Sequence, residues 1–192
     1  MLRIRTVAWL IWLEVIRRKD IYVLLILLGA LLTIVVSLDI FGLGGVVRYV
    51  TDIGLTMIWL FGWILAISVS SRQLPQEESR GTIFSLLAKP VTRFEVVAGK
   101  WLGSWGIVCV ATMMFYLLVT GVVLLKGGEI HPVSLLQGCI LHSVALGIIS
   151  AVAIAFSTRM HKDAATSISY VFTGAAFLIV PRIPELIVPP GL

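Results

Sequence analysis

Ile53-Gly54-Leu55-Thr56-Met57-Ile58-Trp59-Leu60-Phe61-Gly62-Trp63-Ile64-Leu65-Ala66-Ile67-Ser68-Val69-Ser70-Ser71 is a run of nineteen residues without a charged side chain, closed by Asp52 and Arg72. A helix rises about 1.5 Å per residue, so a run of this length nearly matches a bilayer core about 30 Å thick. Four further runs have the same character: 21–38, 104–125, 135–157 and 164–180. Each Leu, Ile, Val or Phe at a helix centre favours insertion by about 0.3–0.6 kcal/mol, while a central Lys, Arg or Asp opposes it by about 2.5–3.5. None of the five runs contains Lys, Arg, Asp or Glu, so all five are expected to insert as helices.

The composition agrees. Of 192 residues, 59% are hydrophobic and only 13% charged, with a mean hydropathy of +1.05. Soluble domains carry roughly a quarter charged residues, and a disordered chain would be poorer still in apolar ones. A nucleic-acid binder is excluded despite the net charge of +5, because the basic residues sit in short clusters between apolar runs. That placement suits anionic lipid headgroups. Cys109 and Cys139 form no CxxC and no metal-ligand spacing, and no metal or catalytic site is expected.

Charge placement orients the chain. Twelve basic residues lie before the first run, between the second and third, and between the fourth and fifth; only Arg48, Lys126 and Arg182 lie in the alternate segments. The positive-inside rule then makes the N-terminus cytoplasmic and, with five crossings, the C-terminus external. The stretch 3–19 is too short to cross. Its Trp9 and Trp12 favour the headgroup zone, and Arg3, Arg5, Arg17 and Arg18 bracket it, which predicts a helix lying in the cytoplasmic interface. A plain basic flank of the first span is the alternative. Ser37-Leu38-Asp39 offers no small-x-small cleavage site, so the first run reads as a retained span. The outer segment 39–52 is apolar enough to lie against the membrane, and 126–134 reads as a Gly-Gly turn followed by Pro132.

The segment 72–103 is the most informative. Ile83, Leu86 and Leu87 share one face of a short helix. Pro90 stops that helix, because the residue before a proline is pushed out of the α region. Thr92 and Glu95 have the spacing of a capping box, in which hydroxyl and carboxylate each satisfy an orphan backbone N–H. A new helix is therefore expected from about Arg93, running on into the third span.

These residues also carry a family likeness. Glu77, Gly81, Thr82, Leu86, Leu87, Pro90, Arg93, Gly99 and Lys100, in their spacing, resemble the cytoplasmic loop of ABC-2-type transporter permeases, most closely the bacterial group associated with copper-enzyme maturation. The resemblance implies an all-α polytopic helix bundle forming one transmembrane permease domain over 1–192. Within it 3–19 would be the interfacial elbow helix and 72–103 the coupling segment that contacts a separate ABC ATP-binding subunit through the nine residues named. It implies a plasma (inner) membrane location and a second permease copy or paralogue. Cofactors are none in this chain, with ATP and Mg on the partner. The family usually has a further span; the expectation is that this chain ends before it or that it comes from elsewhere. The substrate is unknown from sequence.

Other motifs were weighed against simpler readings. Val97-Ala98-Gly99-Lys100-Trp101 is no P-loop, since Phe94 and Trp101 stand where a glycine and a Ser or Thr are required. His142 lies deep in a span, where an ionisable group is a functional candidate. A neutral ring hydrogen-bonded to a neighbouring helix is the preferred reading, because a proton relay needs a partner and none is visible. Ser143, Gly147, Ala151 and Ala155 form a strip of small residues suited to close helix packing, within the bundle or between subunits. Against the permease stand a passive membrane anchor or assembly subunit and an intramembrane enzyme. The enzyme lacks both a Gly-x-Ser-Gly nucleophile site and a His-Glu-x-x-His motif.

Overall fold

The uncharged runs fold as helices. The computed structural model describes residues 20–37, 46–75, 92–129 and 131–179. Within them five α-helices follow one another: α1 Asp20–Ser37, α2 Val46–Ser70, α3 Arg93–Leu125, α4 Pro132–Ser157 and α5 Lys162–Ile179. No strand occurs among the described residues. Three stretches are long and apolar enough to cross a membrane: Val47–Ser70, Phe94–Leu125 and Pro132–Ser157. α1 contains a shorter apolar stretch, Leu25–Ile34. The expected interfacial helix 3–19 and the tail from 180 lie outside the described residues, as do positions 76–91.

Local chemistry sets the helix ends. Thr92, at φ −77° and ψ 150°, is the N-cap of α3. Its Oγ1 accepts from the Glu95 amide at 3.3 Å, and the Glu95 carboxylate accepts from the Thr92 amide at 2.9 Å. The box expected from sequence is formed, and the helix continues unbroken for 33 residues. At the far end Gly127 adopts φ +75°, a conformation that costs glycine nothing. The amides of Gly127 and Gly128 then bond back to Leu124 and Val123, and Pro132 opens α4 at a position where its missing N–H does no harm.

α2 begins earlier than its uncharged run. The second span was expected from Ile53; the helix instead begins at Val46, so 46–52 of the connecting segment is helical. Two forces favour the extra turns. Val50 is fully buried in the same apolar cluster as Leu28 and Leu32 of α1, and Arg48 and Asp52 pair at 3.8 Å across one exposed turn.

α2 is the central element and packs against each of the other four helices. Near its start, Val50, Ile58 and Phe61 meet Leu28 and Leu32 of α1 and Phe115, Val119 and Val123 of α3. Near its end, Leu65, Ala66 and Val69 meet Ile107, Val108 and Ala111 of α3 and Leu146 of α4. Lipid is as apolar as leucine, so burial alone does not drive helices together there; close packing and polar contacts must contribute. Such contacts join α5 to α2: Trp63 Nε1 donates to Thr173 Oγ1 at 2.9 Å, the Ser68 and Tyr170 hydroxyls lie 3.1 Å apart, and those of Ser71 and Thr166 2.7 Å apart.

Candidate functional site

Gln73 and Lys100 lie near the two ends of the segment 72–103 that the sequence singles out. Gln73 lies in the turn after α2, with its side-chain amide donating to the Val69 carbonyl at 3.1 Å. Lys100 lies two turns into α3, is 1% exposed, and donates from Nζ to the Gln73 carbonyl at 2.8 Å. A buried turn carbonyl and a buried ammonium each need a hydrogen-bond partner, and here each supplies the other's. The bond ties the turn after α2 to the second turn of α3. The chain between them, 74–99, therefore leaves and re-enters a fixed joint.

Of the residues that the resemblance assigns to the ATPase contact, Glu77, Gly81, Thr82, Leu86, Leu87 and Pro90 lie outside the described residues. Arg93 is the first residue of α3. Gly99 is buried, and the ammonium of Lys100 is directed inward, at α2 rather than at the surface. Both lie within the continuous helix α3, so no glycine-rich loop precedes this lysine.

The small-residue strip on α4 divides in two. Trp105 Nε1 donates to the Ser143 carbonyl at 2.8 Å and Trp101 Nε1 to the Gly147 carbonyl at 3.0 Å. The two indoles stack with centroids 5.6 Å apart. A Cβ at Gly147 would lie 2.9 Å from Trp105 Nε1, so glycine is what lets the ring reach the backbone. Ala151 and Ala155, farther along, are exposed. The tryptophans were not singled out from sequence; their spacing of four residues, matching that of Ser143 and Gly147, was the available signal.

A cavity of about 620 Å³ opens between α2, α3 and α4, at the end of the bundle away from Lys100. Trp59, Tyr116 and His142 line it. His142 is 7% exposed, its ring stacked 6.3 Å from Trp59 and set edge-on 6.1 Å from Tyr116. The ring was expected to bond a neighbouring helix. Its Nε2 instead has no hydrogen-bond partner among the described residues, because the facing wall of α2 is Gly62, which offers no side chain. Glu129 and His131, from the α3–α4 connection, line the same cavity. No group of three or more metal-ligating side chains occurs among the described residues.

The described helices form a bundle around α2, and three of them are long and apolar enough to cross a membrane. The family described as ABC-2 family transporter protein matches residues 6–188, and the chain belongs to it. It is the membrane, non-catalytic component of such a transporter, and membership implies an ATP-binding partner subunit. No curated protein and no solved structure matches the chain.

Proposed function

We propose that the chain is the permease subunit of an ATP-driven exporter, resembling the bacterial copper-enzyme-maturation group, in which 72–103 is the coupling segment that docks on a separate ATPase. The observation that carries this reading is the Lys100–Gln73 bond of 2.8 Å. A segment that receives a push must pass it on, and one whose two ends are fastened to each other moves α2 and α3 together. α2 touches every other described helix, so displacement at its end reaches the whole bundle. In this reading α1 and α5 also cross, giving five spans with the N-terminus cytoplasmic, and the permease works as a dimer or with a paralogue.

Docking would rest on Leu86 and Leu87. Each contributes about 1.5–3 kcal/mol when fully covered, while an exposed ion pair adds at most about 1 kcal/mol. The leucines therefore supply affinity, and Arg93 orients the contact. The double variant Leu86→Glu, Leu87→Glu is expected to insert normally, elute as the native protein does, and lose co-purification with the ATPase. Retention of the ATPase at unchanged affinity overturns the coupling assignment.

A further inference from the structure

The coupling reading leaves the cavity between α2, α3 and α4 unused. Its volume, about 620 Å³, falls within the range of roughly 300–1,000 Å³ typical of small-molecule sites. Leu55 and Leu141, 43% and 71% exposed, stand among its lining residues and give it an apolar flank on the outside of the bundle. Within lie the side chains of Trp59, Tyr116 and His142.

Charge selects the ligand. Among the described residues that line the cavity, Glu129 alone carries a formal charge, and no Lys or Arg is present. An anionic ligand would shed water there with no basic group to receive it. A cation has the Glu129 carboxylate at one end and the Trp59 and Tyr116 side chains within, and attraction of a cation to an aromatic ring grows as the site is desolvated. The apolar walls require an apolar skeleton. A zwitterionic phospholipid fits less well, since its phosphate would find no cationic partner.

We propose that this cavity is a binding site for an amphiphilic organic cation, with the apolar skeleton against Trp59 and Tyr116 and the positive charge held by Glu129. As a cargo site it rests on the permease reading. As a binding site it does not, and it is measured without any ATPase, so the two readings fail separately.

The test uses the purified full chain in detergent and radiolabelled tetraphenylphosphonium, with tetraphenylborate as a probe of nearly the same shape and opposite charge. Saturable tetraphenylphosphonium binding is expected, with no saturable binding of radiolabelled tetraphenylborate in a separate, parallel assay. Glu129 is exposed on a turn, so Glu129→Gln should fold normally and weaken binding about three- to fivefold, the scale of one exposed charge contact. Gly138→Leu should abolish binding by filling the cavity. Its Cβ would sit 3.6 Å from the Tyr116 hydroxyl, an ordinary contact. If Gly138→Leu does not fold, Glu129→Gln decides. Absence of saturable binding, tetraphenylborate binding of equal affinity in the parallel assay, or an unchanged affinity in Glu129→Gln overturns the proposal.

Discussion

Gly147 and Lys100 show how much single side chains decide in this bundle. At Gly147 a Cβ would lie 2.9 Å from Trp105 Nε1, and the neighbouring indole bonds the Gly147 carbonyl. Gly147→Leu is therefore expected to push both rings off α4. Overpacking of this kind costs about 1–3 kcal/mol, read as a lower thermal midpoint in detergent. Ala151→Leu, four residues on and exposed, should leave the midpoint of the isolated chain unchanged. Lys100 presents the opposite case, a buried charge that is stabilising because of what it faces. Lys100→Glu would set a buried carboxylate against the Gln73 carbonyl, two acceptors with no donor between them, and an unsatisfied buried group costs about 1–3 kcal/mol, more when charged. Loss of monodisperse protein on size exclusion is the expected outcome, with Lys100→Arg largely restoring it.

Among the elements, α3 is the one whose start is most sharply specified. Its first turn depends on the reciprocal bonds of Thr92 and Glu95, and removing an N-cap hydroxyl typically costs about 1 kcal/mol. In Thr92→Ala, amide exchange is expected to accelerate in the first turn of α3 and to stay unchanged beyond Lys100, where packing on α2 holds the helix. Equal acceleration along the whole helix would show that the cap is not a local device. α4 opens on Pro132 but without such a reciprocal pair of bonds. His131 caps α4 without a side-chain bond, and α5 is joined to α2 by hydroxyl and indole contacts made far apart in sequence.

For the molecule as a whole, the α3–α4 and α4–α5 connections must lie on opposite sides of the membrane if α4 crosses it. With Cys109 and Cys139 replaced by alanine, single cysteines at Glu129 and His161 are expected to label from opposite faces, Glu129 from outside. Labelling of both from one face would refute the crossing of α4, and reversed sides would refute the orientation drawn from the twelve-to-three distribution of basic residues.

What the sequence determined on its own is the membrane class, the position of the apolar helices and the chemistry of their ends. Uncharged runs, a Thr–x–x–Glu box, a Gly–Gly turn and a proline all act through neighbours a few residues away, so they can be read without the fold. The start of α2 at Val46 was missed because a buried Val50 pays no local signal; its contacts come from α1 and α3. Only the tertiary structure decided which faces of the helices meet. In a soluble bundle the apolar stripe marks the interior, but in a bilayer the lipid-facing and buried faces are equally apolar. Leu141 at 71% exposure and Leu146 at 0% are the same residue type on the same helix. The inward turn of Lys100, the indoles laid on Ser143 and Gly147, and the cavity around His142 all follow from that choice of faces, which hydropathy does not encode.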